Sequence, residues 1–182
     1  SYVRTNGGRL NNAHAGVGSV SYTACVLLNS IIGAAPTYVP YTGGGPTLNA
    51  LVGGQVDYMC DQAVSSIPQI RSGNVKAYAV ASLQRIPALP DVPVTAEAGL
   101  PAYQVSAWNA FFAPKDTPQP IIAKLNAALS EALDDPSIQK RLADLGGEIP
   151  SRPQRSPEAL GKLVHAEVVR WTPVLKALAS AN

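Results

Sequence analysis

Short strand-like and helical segments alternate through the first half of the chain, and this alternation constrains the fold more than any other feature. The pattern predicts strands at 12–15, 37–39, 55–60 and 75–81, and helices at about 22–32, 47–52 and 61–71. Strands that alternate with helices at this spacing indicate a mainly parallel α/β sheet covered on both faces. Ligands of such sheets bind beyond the carboxyl ends of the strands, so we expect the functional site there.

Helical spacing of apolar residues predicts which face of the first helix is buried. The residues of this predicted face are Val20, Thr23, Ala24, Leu27, Leu28 and Ile31.

The second half of the chain has a different character. No lysine or arginine lies between Arg9 and Arg71, whereas acidic and basic residues interleave from Lys115 onward, as on solvated helix faces. Start signals at 117–118, 135–136 and 156–157 predict three amphipathic helices, the last running to about residue 178. Before them, residues 103–113 alternate and carry aromatic side chains, which predicts a strand. Three such helices need a surface to cover, so we expect a further piece of sheet from residues outside this sequence or from another chain.

The first of two glycine-rich loops covers residues 16–21. Gly16, Gly18 and the hydroxyls of Ser19 and Ser21 precede a helix, an arrangement that binds anions without a cationic side chain. The alternative is that Ser19 serves only as the helix cap.

The second loop covers residues 41–46. Tyr41 and Thr42 precede three glycines that begin at Gly43, and a backbone without side chains can approach a ligand closely. The alternative is a turn that binds nothing. Neither loop matches a phosphate-binding or dinucleotide-binding pattern.

Four further residues, Asp61, His14, Cys25 and Cys60, allow more than one interpretation. Asp61 is interpreted as a helix cap, and alternatively accepts a hydrogen bond from a ligand or orders the loop at Thr42. His14 faces the same cleft or has a structural role. Cys25 and Cys60 are 35 positions apart and match no metal or redox spacing. Two buried small hydrophobic residues are the favoured interpretation, and a disulfide is the alternative in an oxidising compartment.

The inventory of catalytic motifs predicts that the chain is not an enzyme and needs no metal or cofactor. It has neither a Gly-x-Ser-x-Gly elbow nor a His-Glu-x-x-His pair. A net charge of +2 without blocks of like charge argues against a nucleic-acid partner.

Several motifs in fixed order place the chain beside a known family. They are Val-Gly-Gly-Gln-Val-Asp at 52–57, Ala-Ser-Leu-Gln-Arg at 81–85, Ala-Leu-Pro-Asp-Val-Pro at 88–93, Glu-Ala-Gly-Leu-Pro at 97–101, and residues 108–114. With the two loops, they make the chain resemble the Bug proteins from about residue 11 to its end. These are the periplasmic solute-binding proteins of tripartite tricarboxylate transporters, also called the TctC family.

The resemblance implies a two-lobed, type II periplasmic-binding-protein fold that closes on a small carboxylate and passes it to membrane permease subunits. It implies that residues 11–103 form the second lobe and that 104–182 form a crossover strand and helices of the first lobe. The N-terminal part of that lobe and an export signal would lie outside this sequence. The implied ligand-binding residues are Gly16, Gly18, Ser19 and Ser21 at one carboxylate, Tyr41, Thr42 and Gly43 along the cleft, and Asp61 on its far side.

Three positions depart from the family pattern. Thr42 with three glycines stands where a lysine or serine usually precedes one glycine, Tyr22 replaces a common histidine, and Cys60 replaces an aromatic residue. The identity of the solute therefore stays open. The alternative function is a truncated relative that acts as a sensory or interaction module, with a homodimer formed through exposed helix faces.

Overall fold

A three-stranded parallel sheet forms the centre of the first of two compact units. The computed structural model describes residues 2–179, with side chains described up to residue 176, and its units divide between Ala107 and Trp108. The strands are β1 (Asn11–His14), β2 (Thr37–Pro40) and β3 (Tyr58–Met59), in the order β2-β1-β3. The register pairs His14 with Pro40 and Ala13 with Met59.

Seven α-helices account for most of the remaining regular structure among the described residues. The first unit has α1 (Tyr2–Asn6), α2 (Val20–Ile32), α3 (Gly44–Val52) and α4 (Ala63–Arg71). The second has α5 (Gln119–Asp134), α6 (Pro136–Asp144) and α7 (Pro157–Ala179), with a 3₁₀ helix at Arg152–Arg155. The predicted alternation of strands and helices is confirmed up to α4. Within the described residues, no helix combines the length and apolarity that a membrane crossing requires.

One face of the sheet is apolar and packs on α3. Because the register places Ala13 beside Val39 and Met59, all three side chains point to the same face. They pack with Ala50 of α3 and with Val56, both of which are buried.

The opposite face is polar and packs on α2. Asn12 donates from Nδ2 to Cys25 Sγ (3.0 Å), Asn29 donates from Nδ2 to the Tyr38 hydroxyl (3.0 Å), and the Tyr58 hydroxyl donates to Asn29 Oδ1 (2.8 Å). Burial raises the pKa of Tyr58 to about 12 and also raises the pKa of Tyr38, so both hydroxyls stay protonated at neutral pH. We call these five side chains the polar layer.

The prediction for the buried face of α2 is therefore correct at Ala24 and wrong at Val20 and Ile31, and the other three predicted positions are half-buried. The helix buries Ser21, Cys25 and Asn29, which are four residues apart, together with Ala24 and Val26. Val20 and Ile31, predicted to be buried, are exposed. The face of α2 that carries Ser21, Cys25 and Asn29 packs on the sheet, because the strands offer polar partners to its side chains.

A disulfide joins Cys25 of α2 to Cys60, the residue after β3. The favoured interpretation of two unlinked cysteines is therefore wrong and the alternative is correct. The two Cα atoms lie 5.3 Å apart although the residues are 35 positions apart in the chain. The bond links α2 to the end of a neighbouring strand.

Two of the predicted strands are not formed. Residues 75–79 have no regular structure, and Val80 forms an isolated bridge with Val94, because its amide and carbonyl pair with residues 93 and 95 rather than with the sheet. The described residues 103–113, predicted as a crossover strand, form no strand, and Phe111 and Phe112 are 79% and 70% exposed. Their alternation reflects strand propensity, but a strand also needs a partner edge. Within this segment, the Val105 amide bonds to the Ala81 carbonyl without forming a strand.

Arg155 ties the second unit together. Its guanidinium donates to the Ser130 carbonyl (3.3 Å) and to the Asp134 carboxylate (2.8 Å), both on α5, and to the Pro150 carbonyl (2.8 Å). The Asn126 side chain donates to the Arg155 carbonyl (2.7 Å). The helices themselves bury little, since α5 and α6 contain no buried residue. Exposed apolar side chains on α5 and α7 are Ile121, Leu125, Leu163, Val168, Val169 and Leu175.

Reduction of the disulfide is expected to lower the free energy of unfolding of the first unit by about 3 to 4 kcal/mol, because a cross-link over 35 residues restricts the unfolded chain. Urea unfolding followed by far-UV circular dichroism, with and without reductant, measures this loss. The matched control is the double variant Cys25→Ala/Cys60→Ala, which should be insensitive to reductant. Identical midpoints for the natural chain in both conditions would contradict the disulfide.

Acidification is expected to destabilise the second unit through Asp134. Its hydrogen bond from Arg155, together with Arg152 nearby, lowers the pKa of this carboxyl below its ordinary value of 3.8. A lowered folded pKa means that the stabilisation is complete above the unfolded pKa and is lost as the pH falls through the folded pKa. In the Asp134→Asn variant, the free energy of unfolding should depend less on pH in this acidic range, which we call the acid limb.

Tryptophan fluorescence measures the effect in this unit alone, since both tryptophans, Trp108 and Trp171, lie in it. Asp144→Asn is the control, because Asp144 pairs only with the exposed Lys140 among the described ion pairs. An acid limb of equal slope in the Asp134→Asn variant and in the natural chain would show that Asp134 is not its cause.

Candidate functional site

The strand order brings three loops together at the carboxyl edge of the sheet. The first loop follows the central strand β1, the second loop follows β2 on one side, and Asp61 follows β3 on the other. The chain moves from β1 to β2 in one direction and then returns past β1 to β3. In open parallel sheets, ligands bind at such a reversal of strand order. The predicted site residues therefore share one edge.

Hydrogen bonds within the first loop fix its shape. The Ser19 hydroxyl donates to the Gly16 carbonyl (2.7 Å) and accepts from the Tyr22 amide (3.2 Å), so Ser19 caps α2. The Ser21 hydroxyl accepts from the Ala15 amide (2.9 Å) and lies 3.1 Å from the Ser19 hydroxyl oxygen. Both hydroxyls thus shape the loop from inside.

Four amides of the first loop and the first turn of α2 have no hydrogen-bond partner among the described residues. They belong to Val17, Gly18, Val20 and Ser21. Gly18 has a φ of 83°, a conformation that favours glycine, and both Val17 and Gly18 are exposed. The free donors of this turn suit an anion.

The second loop presents the start of another helix beside the first. Gly43 is the N-cap of α3, and its carbonyl accepts from the Thr47 hydroxyl (2.7 Å). With a φ of 123°, Gly43 adopts a conformation that side-chain-bearing residues rarely reach. Thr42 is exposed, and a Cβ at Gly16 would lie 3.8 Å from the Tyr41 carbonyl oxygen. The two loops are therefore in close proximity.

The electrostatic character of this edge comes from the backbone. Neither α2 nor α3 has an acidic residue in its first turn, so the positive ends of both helix dipoles are uncompensated by their own sequence. Asp57 lies at the opposite edge of the sheet, because its carboxylate accepts the Asn11 amide at the start of β1 (2.7 Å). Asp61 is then the one carboxylate of the segment 10–70 at the site edge.

Asp61 does not cap α4. Gln62 occupies the N-cap position, and the Asp61 carboxylate instead accepts from the hydroxyls of Ser65 (2.8 Å) and Ser66 (2.7 Å). Both bonds go to Oδ2, and in the described part of the chain Oδ1 accepts none. No contact between Asp61 and Thr42 is found among the described residues, so its predicted role in ordering that loop stays a prediction.

His14, Tyr22 and Tyr38 form an aromatic cluster next to the two loops, which agrees with the structural role that was one of the two interpretations of His14. His14 is buried, its ring lies 4.7 Å from that of Tyr22 and 6.2 Å from that of Tyr38, and the two tyrosine rings are 5.8 Å apart. The sequence contained a signal for the inward position of His14: it is two residues from Asn12 on the same strand, and residues two apart lie on the same face of a sheet. Among the described residues, no group of three or more His, Cys, Asp or Glu side chains could hold a metal ion.

Comparison with protein families identifies relatives of the chain. Residues 1–179 match the TctC family, described as the tripartite tricarboxylate transporter family receptor. The chain is 42% identical, over 95% of its length, to a UPF0065 protein of Agrobacterium vitis. That match covers 50% of the relative, so the chain spans about half the length of this curated relative.

Solved structures agree with this result. MatC from Rhodopseudomonas palustris with bound malate is 54% identical with a TM-score of 0.91, over 95% of this chain and 59% of that one. The periplasmic binding protein BugD is 40% identical with a TM-score of 0.92, over 98% and 59% of the two chains. Another R. palustris protein, with adipate, is 30% identical with a TM-score of 0.87, over 98% and 58%. The α/β periplasmic-binding-protein fold expected from the sequence is confirmed.

Removing the Ser21 hydroxyl is expected to destabilise the first unit. Ser21→Ala leaves the Ala15 amide without its acceptor in a half-buried position, which costs about 1 to 3 kcal/mol of unfolding free energy. Urea unfolding followed by circular dichroism gives the value. The matched control is Ser30→Ala, which removes an exposed hydroxyl from the same helix. Equal midpoints for both variants would show that the Ser21 bond does not hold the loop.

Proposed function

The chain belongs to the tripartite tricarboxylate transporter receptor family, and from this premise we propose that it acts as a solute-binding protein that captures a small carboxylate. The observation that carries the proposal is the pair of helix N-termini that meet at one edge of the sheet with free backbone amides. In the proposal, the first loop, residues 16–21, holds one carboxylate end through the unpartnered amides of Val17, Gly18, Val20 and Ser21. Tyr41, Thr42 and Gly43 line the cleft, and Asp61 lies on its far side.

Dicarboxylates are the first solutes to consider. Two similar structures hold malate and adipate, and each of these ligands has two carboxylates joined by a short carbon chain. A carboxylate accepts several N–H bonds at once, and hydrogen bonds to charged groups are about twice as strong as neutral ones. The absence of lysine and arginine from residues 10–70 makes backbone amides the main donors that this part of the sequence offers.

The same premise extends to location and partners. We place the protein in the periplasm, where it would deliver its solute to the permease subunits of a tripartite transporter. The Cys25–Cys60 disulfide supports this location, because such bonds persist in oxidising compartments. In this role the protein binds and releases its solute without chemical change, and it is not an enzyme.

A second candidate is a sensory or interaction module that dimerises through its helix faces. The exposed apolar side chains of α5 and α7 favour it, since large exposed apolar patches often mark interaction sites. A stable dimer without affinity for any carboxylate would favour this function over solute capture.

Isothermal titration calorimetry with malate, adipate, citrate and acetate tests the proposal. We expect saturable binding of at least one dicarboxylate, with an unfolding temperature that rises with ligand concentration, because a ligand that binds only the folded state stabilises it. Ser19→Ala should weaken binding about tenfold, since it removes the hydroxyl that holds the Gly16 carbonyl and the Tyr22 amide.

Two controls separate affinity from folding. Ser19→Gly keeps most of the capping preference but lacks the hydroxyl, so its affinity should fall with little loss of stability. Ser30→Ala, at the far end of α2, should bind as the natural chain does. Failure of every acid to bind, with the mass of the particle in solution measured in parallel, would reject solute capture by this chain.

A further inference from the structure

His14 occupies a position that reaches both glycine-rich loops. Its backbone carbonyl accepts from the Tyr41 amide (2.8 Å), where the second loop leaves β2. Its side-chain Nδ1 accepts from the Gly16 amide (3.2 Å), where the first loop leaves β1. Through these two hydrogen bonds, His14 contacts the start of both glycine-rich loops.

Burial and packing hold the imidazole in one place. His14 is 2% exposed as a residue, and its ring lies near the rings of Tyr22 on α2 and Tyr38 on β2. Tyr38 is itself held by the hydrogen bond from Asn29. The polar layer therefore fixes the ring that receives the Gly16 amide.

We propose that His14 is the positioning residue of the candidate site and sets the conformation of the first loop through the Gly16 amide. Accepting an N–H requires that Nδ1 carries no proton, so the ring is neutral with its proton on Nε2. Gly16 has a φ of 105°, which turns the chain sharply toward the unpartnered amides of Val17 and Gly18. His14 does not touch the solute and acts through the backbone of the loop. Its effect on affinity rests on the proposed function.

Two substitutions separate the hydrogen bond from the packing of the ring. His14→Asn places the amide oxygen Oδ1 near the position of Nδ1 and keeps an acceptor, but loses the ring. His14→Phe keeps a ring against Tyr22 and Tyr38 but has no acceptor. If His14 acted only by packing, His14→Phe would behave like the natural chain. If His14 positions the loop through its hydrogen bond, His14→Asn would behave like the natural chain instead.

Hydrogen exchange of the Gly16 amide is the readout that needs no ligand. It should become about tenfold faster in His14→Phe and stay within about threefold of the natural chain in His14→Asn, as expected for the loss or retention of one net hydrogen bond. The Gly33 amide, at the other end of α2, is the internal reference because it bonds to the Asn29 and Ser30 carbonyls. The ¹⁵N spectrum of the natural chain should show an unprotonated Nδ1 and a protonated Nε2.

Malate titration of the same three proteins completes the test. Affinity that falls about tenfold in His14→Phe and is retained in His14→Asn supports the inference. Gly16 exchange that is equal in His14→Phe and the natural chain, or a proton on Nδ1, overturns it whatever the affinities. Failure of the natural chain to bind malate or any of the other acids, together with the expected exchange pattern, counts against the proposed function while still supporting the positioning of the loop by His14.

Discussion

Asn29 connects three elements of the first unit through one buried side chain. From α2 it bonds to Tyr38 on β2 and to Tyr58 on β3, the two strands on either side of β1. A buried amide must be satisfied at both ends, and either tyrosine hydroxyl would be left without its bond if the helix shifted along the sheet. Asn29 therefore fixes the axial position of α2, and with it the position of Ser19 at the start of the helix.

The other two inward positions of α2, Cys25 and Ser21, also fix the helix against the sheet. The Cys25–Cys60 disulfide lies one turn before Asn29, and Ser21, one turn earlier again, holds the Ala15 amide. Three attachments spaced four residues apart leave the N-terminus of the helix little freedom relative to β1. A loop ordered on folding does not have to be ordered again on binding, which removes one of the costs of association. In the proposed function, the three attachments of α2 would therefore order the first loop before a ligand binds.

Local signals in the sequence predicted the alternation of strands and helices, the two glycine-rich loops and the edge where they meet, because turn and capping chemistry depends on neighbouring residues. The inner face of α2 was not predictable in this way, since Asn29 is buried only because Tyr38 and Tyr58 lie opposite it. The pairing of Cys25 with Cys60 has the same long-range origin. At 103–113 the pattern reported the propensity of each residue, but strand formation depends on a partner edge that no local pattern reveals.

In the proposed site, residues 10–70 supply no cationic side chain, so recognition of a carboxylate by this segment would depend strongly on geometry. A helix N-terminus contributes only about 0.3 to 1 kcal/mol to the stability of a nearby negative charge at an exposed position, so neither α2 nor α3 alone would bind an anion well. Affinity has to be assembled from several amides that converge on the same oxygen atoms, and hydrogen bonds weaken steeply as their angles deteriorate. A lysine would tolerate a shifted loop because its charge acts in every direction and its stem is flexible. The proposed site, built from Gly16, Gly18 and Gly43, would have no such tolerance, and in that proposal the buried polar side chains of α2 and the strands serve to hold its backbone in place.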